Sequence, residues 1–209
     1  MRTAGTTRRF LLDPVPDAIL LRVLDNARFA PNGGNRQGWH VVVVTDAETR
    51  RALHDLYQPP WRAYLGERYG LAPGAQPGPD TPMALRRTIE FAERLYEVPV
   101  HLLVTVDLRA LAVTDKSLPR QSIVGGGSVY PFVHNILLGL RREGLGAALT
   151  TLIIPAEPSV KELLRIPEEH AIAALIGVGY SADPLPTKLR RKAVEEFTTK
   201  DKFDGPPFS

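Results

Sequence analysis

The chain has 209 residues, 44% hydrophobic and 23% charged, which is the length and balance of one globular domain with a sizeable core. It contains no cysteine, and that removes disulfides, thiolate metal sites, iron–sulfur clusters and cysteine nucleophiles together. The formal net charge is only +3, and the basic residues are dispersed apart from "TKLRRK" near the end, so nothing here demands nucleic acid.

Membrane segments are not expected either. The longest apolar runs, "HVVVV" and "VPVHLLVTV", fall far short of the roughly 20 residues that span a bilayer. The N-terminus is basic without an apolar run behind it, so no secretory signal is read and a cytoplasmic location is expected.

After a short arm ending in "RRF", the "DPVPD" turn places Pro16 where a helix can begin. "DAILLRVLDNARFA" then carries Ile19, Leu20, Val23, Leu24 and Ala27 on one helical stripe. Pro31, Asn32, Gly33 and Gly34 break it, and "WHVVVVT" reads as a strand buried on both faces. Asp46 is placed to cap a helix running to about Tyr57, where Pro59-Pro60 interrupts and "WRAYLGERY" resumes as a short helix. "GLAPGAQPGPDTP" is too dense in breakers for regular structure. A helix over about Met83–Glu97 leads into the strand "VHLLVTVD", and "KSLPRQSIVGGGS" is another loop. "VYPFVHNILLGLRREGLG" is a long apolar helix ended by Gly144 and Gly146. "AALTTLII" and "AIAALIGVGY" read as strands around a helix near Ser159–Arg165, and the tail from Ser181 has no core pattern. Strands alternating with helices argue for an α/β or α+β sheet domain. The unpatterned tail suggests a terminus that packs on a neighbouring chain.

Several familiar signatures fail. "GLGAAL" follows a helix where a dinucleotide fingerprint must follow a strand, and "GVGYSA" is followed by Pro184 and Pro186, which block the helix that would hold a pyrophosphate. "GGSVY" is half a nucleophile elbow, with Tyr130 where the second glycine belongs. His40, His54, His101, His134 and His170 have no metal-ligand spacing, and Glu168-Glu169 and Glu195-Glu196 read as solvated faces.

What remains is a scattered set of polar groups: Thr6, Arg8 and Arg9; Asn32, Asn35 and Gln37; Thr150 and Thr151; Arg190 and Arg191. Guanidinium forks suit a phosphate and amides suit the edge of a heterocycle. Taken alone, the residue types favour the plainer account of surface charges and an ordinary turn, with a phosphorylated, ring-bearing cofactor as the other.

The order of the segments adds a resemblance. The basic arm before "DPVPD", the loop "APNGGNRQGWHVVVV", the helix "SVYPFVHNILLGLRREGLG", "LTTL", and "IGVGY" leading to a basic tail together resemble the nitroreductase family of flavin enzymes over nearly the whole chain. The resemblance implies an α+β nitroreductase-like fold: a single domain over 1–209, a central mixed sheet flanked by helices, and a C-terminal arm from about 181 packing on the partner of an intertwined homodimer. It implies FMN at the subunit interface. Asn32, Asn35 and Gln37 would line the flavin, with Thr6 and Arg8 near ribityl and ring. Arg191, with Arg9 and Arg190, would hold the phosphate, and the Thr150–Thr151 segment would face flavin N5. Ala4 and Gly5 stand where family members usually carry arginine, Gly38 where they carry proline, and Asn32 where they carry serine. The implied activity is ping-pong hydride transfer from NADH or NADPH through flavin N5 to a small nitroaromatic, quinone or related acceptor. It needs no catalytic side chain and no metal. A flavin-free or deazaflavin-binding member of the same fold is the alternative. "YQPPWRAYLGERYGLAPGAQPGPD" is expected to shape the acceptor pocket.

Overall fold

The computed structural model describes residues 1–72, 78 and 80–208. Its helices and strands alternate as α1 (Asp17–Ala27), β1 (Trp39–Val44), α2 (Ala47–Tyr69), α3 (Met83–Glu93), β2 (Val100–Asp107), α4 (Tyr130–Arg142), β3 (Gly146–Thr150), α5 (Glu157–Leu164) and β4 (His170–Gly179). The strands form one sheet in the order β1-β2-β4-β3, and every neighbouring pair is antiparallel. The parallel component of the expected mixed sheet is reduced to an isolated bridge between Thr6 and Ala147. Together with the surrounding helices this is an α+β architecture.

Apolar clusters cover both faces of the sheet. One joins α1 and α4 to Val100, Leu102, Val104 and Val106 of β2. The other joins α2, α3 and α5 to Leu103, Ile172 and Leu175. Alternate residues of β2 therefore feed opposite cores, as a period of two requires. The register slips between Val104 and Thr105, where β4 inserts Ala173, so Ala173 and Ala174 both serve the α1/α4 side.

Two expectations change. β1 is an edge strand with Val43 exposed and only Val44 fully buried; four consecutive valines cannot reveal whether a second strand lies beside them. Helix α2 runs unbroken through Pro59 and Pro60. Each interior proline costs roughly 3 kcal/mol. Leu53, Tyr57, Trp61 and Leu65 nevertheless fall at intervals of four on one buried stripe, and full burial of each large apolar side chain returns about 1.5–3 kcal/mol. Tertiary burial thus overrides the local breaker. The expected pocket segment Tyr57–Asp80 divides accordingly: its first part is α2, while residues 73–77 and 79 lie outside the described residues.

The end of α3 is held by polar side chains. Gln58 donates to Ala92 O (2.7 Å), and Arg50 Nη1 donates to Tyr96 O and Val98 O (both 2.8 Å). His54 Nε2 lies 3.1 Å from Glu93 O and His101 Nε2 lies 2.9 Å from Leu95 O. These contacts satisfy carbonyls that a terminating helix leaves open. His101 is fully buried, and burial pulls its pKa down to about 4.

His101 is therefore neutral in the folded chain and protonates more readily when unfolded. Stability is fully present above about pH 6.5 and should fall as pH drops toward 4, with a loss of about 3 kcal/mol over that window. Urea unfolding at a series of pH values checks this. His101→Gln, which keeps a donor for Leu95 O and cannot titrate, should flatten the profile there; an unchanged slope would show that other groups set it.

Candidate functional site

The expected site residues fall into an arm group, a loop group and a short segment at the exit of β3. The arm is tied down at several points. Arg141 Nε donates to Thr3 O (3.0 Å), and Thr7 N donates to Ala147 O (2.9 Å). Ala182 N and Leu11 N then bond Arg9 O and Tyr180 O (3.0 and 2.9 Å), so the arm pairs with the start of the C-terminal tail. Thr7 is buried directly against Gly146, where a Cβ would stand 2.5 Å from Thr7 Oγ1 and 2.8 Å from its Cβ. Gly146, which reads from sequence as a helix terminator, is also the seat of the arm.

The tail folds back on the arm at Gly5. A Cβ there would lie 2.9 Å from Pro186 Cγ and 3.1 Å from Leu189 Cδ2. Arg190 and Arg191 follow this contact directly in the chain. Arg9 forms an ion pair with Asp183 (3.1 Å), which makes it part of the arm–tail joint. Arg8 is half-buried and borders a cavity of 170 Å³ with Phe10, Phe91 and Arg94. Among the described residues Arg8, Arg190 and Arg191 have no carboxylate partner.

The loop group is one compact turn. Gly34, Asn35 and Gln37 all have left-handed backbone, with φ of 63°, 52° and 48°. For glycine this is free and for asparagine tolerable, but glutamine there is unusual. Asn32 holds the turn: its Oδ1 accepts from Gln37 N (2.9 Å) and its Nδ2 donates to Ala30 O (3.3 Å). Gln37 Nε2 donates to Asn35 O (3.3 Å). The polar residues before β1 thus shape the loop as well as decorating it.

The last residue of β2 and a residue beyond it clamp this loop at both ends. Gly33 N donates to Ser128 Oγ (3.0 Å), and Asp107 N donates to Gly38 O (2.8 Å). A Cβ on Gly38 would meet Ala110 Cβ at 2.5 Å, so a side chain at 38 is excluded in this packing. Arg109 bonds Asp107 and holds its carboxyl at about 2. The connecting segment is stapled by buried Asp115, which accepts from Arg120 Nη1 (2.8 Å), Ser122 Oγ (2.7 Å) and Ile123 N (3.1 Å). Those bonds, Ser122 foremost, keep its carboxyl below the ordinary range. Sequence reasoning missed Ser128 and Asp115 as supports of the site; the glycine run before Ser128 was the one available signal, and it does not identify a partner.

Thr150 ends β3 three residues beyond Ala147, about 10 Å along the strand. Its Oγ1 accepts from Leu152 N (3.2 Å), while Thr151 is exposed. The arm and the loop stand at opposite ends of α4: Ser128 precedes it and touches the loop, whereas Arg141 and Gly146 close it and hold the arm. Thirteen residues of helix separate them by about 20 Å. One chain therefore holds the arm group and the loop group apart and does not bring them together.

Comparison with known proteins identifies the family. The family model described as Nitroreductase family matches residues 2–180. The chain belongs to the nitroreductase family. The 4-nitrobenzoate reductase of Nocardioides sp. (strain LMS-CY) is 32% identical over 203 residues, covering 86% of this chain and 78% of that protein. The nitrobenzene nitroreductase of Ectopseudomonas oleovorans is 26% identical, covering 95% and 94%. The solved structure of oxidized iodotyrosine deiodinase bound to FMN and 3-iodo-L-tyrosine has the same fold, with a TM-score of 0.68 and 23% identity over 94% of this chain and 96% of that one. Within this nitroreductase-family chain, no group of three or more His, Asp or Glu among the described residues is arranged to hold a metal. No helix among them is long and apolar enough to cross a membrane.

The seat of the arm is directly testable. Gly146→Ala should push Thr7 off β3, lower stability by about 1–3 kcal/mol in urea unfolding, and speed tryptic cleavage after Arg8 and Arg9. Wild-type cleavage kinetics would show that the arm is held elsewhere.

Proposed function

We propose that this protein is an FMN-dependent NAD(P)H oxidoreductase that reduces nitroaromatic, quinone or related electron-poor acceptors, and that it works as a homodimer. The observation that carries the reading is the pair of prepared half-sites at the two ends of α4. One offers Arg8, Arg190 and Arg191, none of which forms an ion pair among the described residues, although Glu90 and Glu97 line the Arg8 cavity; the other offers the turn Asn32–Gln37. This donor set fits a phosphorylated heterocycle: guanidinium forks match phosphate oxygens, and amide and backbone groups match a ring edge with donors and acceptors.

When bound, FMN would supply hydride-transfer chemistry between NADH or NADPH and the acceptor. The chain's own residues bind and orient. Arg190 and Arg191 hold the phosphate, and the charge of Arg8 favours an electron-rich ring. Asn35, Gln37 and the Thr150–Thr151 segment would contact the ring. Asn32 acts through the loop it braces, and Arg9 through its joint with Asp183. Gly5 keeps the tail seated, which offsets the absence of an arginine at that position. No side chain is given an acid–base role.

A second copy supplies the missing half. A two-fold axis carries the loop of one chain to the arm of the other. The tail supports this: Phe203 is fully exposed, and Val194, Phe197 and Phe208 are more than half exposed, an apolar surface that a partner would cover.

Titration of the purified protein with FMN, followed by flavin fluorescence and visible absorption, tests the reading. Saturation at one FMN per chain is expected. Arg8→Ala and Arg191→Ala should each weaken affinity roughly 10- to 100-fold, the range for a lost charged hydrogen bond. A protein that stays colourless at saturating FMN contradicts the reading, and a deazaflavin spectrum would redirect it. Removal of residues 194–209 should shift the sedimenting species from dimer to monomer.

A further inference from the structure

Helix α2 carries a line of aromatic rings from the core to the surface. Tyr57 stacks on Trp61 with ring centroids 6.2 Å apart. Trp61 meets Tyr64 at 6.0 Å, and Tyr64 meets Tyr69 edge-on at 6.3 Å. All three separations fall in the range of roughly 4.5–7 Å over which aromatic rings pack together. Core packing explains only the first pair. The buried stripe of α2 runs Leu53, Tyr57, Trp61, Leu65, and the rings leave it at Trp61, stepping aside to Tyr64 and on to Tyr69, the last helical residue. Exposure rises along the line, from 2% at Tyr57 and 3% at Trp61 to 36% at Tyr64 and 48% at Tyr69. The chain's other tryptophan gives the contrast: Trp39 stacks on Phe132 at 4.7 Å, a ring without a hydroxyl.

We propose that Trp61, Tyr64 and Tyr69 form an electron-transfer relay that carries oxidising equivalents from the interior of α2 to solvent. The chain has no cysteine, so indole and phenol are its side chains most open to one-electron oxidation. A radical oxidant of the oxygen-derived class takes one electron from the Trp61 indole and leaves a buried radical cation. A charge in that position is costly. One electron from the Tyr64 phenol restores the indole, and the phenol proton passes to water. Tyr69 then gives an electron and its phenol proton, Tyr64 is restored, and a tyrosyl radical stands at the surface. A soluble thiol returns it to the phenol by giving up a hydrogen atom and becoming a thiyl radical. Tyr57 does not conduct, because its buried phenol has no water to take the proton. The relay stands whether or not the flavin reading holds.

The test is pulse radiolysis of the full-length protein with the azide radical, a one-electron oxidant that attacks tryptophan. In the wild type, part of the tryptophan-radical absorbance should decay in step with growth of the tyrosyl-radical absorbance, at a rate independent of protein concentration. Tyr64→Phe and Tyr69→Phe each keep the ring and remove the phenol; combined, they should abolish that conversion. Trp61→Phe should abolish it as well, and the tyrosine pair decides the matter if that variant fails to fold. Trp39→Phe and Tyr57→Phe should leave it intact. Conversion that persists in the Tyr64→Phe/Tyr69→Phe protein, that is lost in Tyr57→Phe, or whose rate scales with protein concentration overturns the proposal.

Discussion

Strands β2 and β4 lie between two apolar layers, and almost every residue in them is buried. A backbone in that position has no water to bond, so its amides and carbonyls must be satisfied by flanking strands. β1 does this on one side and β3 on the other. Each edge strand then becomes the attachment point for a different polar segment. The loop Asn32–Gln37 feeds β1, and the N-terminal arm docks on β3 through Thr6 and Thr7. With α4 packed along the same sheet face, the two segments are held apart by the structure that makes each of them rigid. The proposed cofactor, which needs both, would be shared between chains.

The two half-sites are stabilised by different means. In the loop, left-handed backbone at Asn35 and Gln37 costs on the order of 1–3 kcal/mol for each strained residue. The hydrogen bonds from Asn32, Ser128 and Asp107 over-determine that conformation. The arm adds close backbone approach to its own hydrogen bonds. Gly146 admits Thr7, and Gly5 admits Pro186 and Leu189. Close approach also serves the loop, where Gly38 lies against Ala110, so neither segment tolerates added bulk at its glycine contacts.

Elements whose pattern is local were legible in the sequence. Helix α1 follows its apolar stripe, β2 coincides with "VHLLVTVD", and α4 stops where Gly144 takes φ of 79°. The continuity of α2 through two prolines was not legible, because the burial of Leu53, Tyr57, Trp61 and Leu65 that maintains it depends on partners distant in the chain. The half-exposed state of β1 was hidden for the same reason. In the site, residue types pointed to a phosphate and a ring, but not to the supports: Gly33 and Ser128 are 95 positions apart, and no spacing rule joins them. Nor could sequence alone tell that Asn32 braces the loop or that Arg9 is engaged by Asp183.

Each proposed site draws its arm from one chain and its loop from the other. Mixed dimers of an Arg8→Ala chain with an Asn35→Val chain, isolated with two different affinity tags and titrated with FMN, test it. If the site is shared, one of the two sites in a mixed dimer carries both defects and the other carries neither, so half the sites should bind FMN with wild-type affinity although each homodimer binds poorly. If arm and loop serve the same site within one chain, every site carries one defect, and uniformly weak binding would contradict the account.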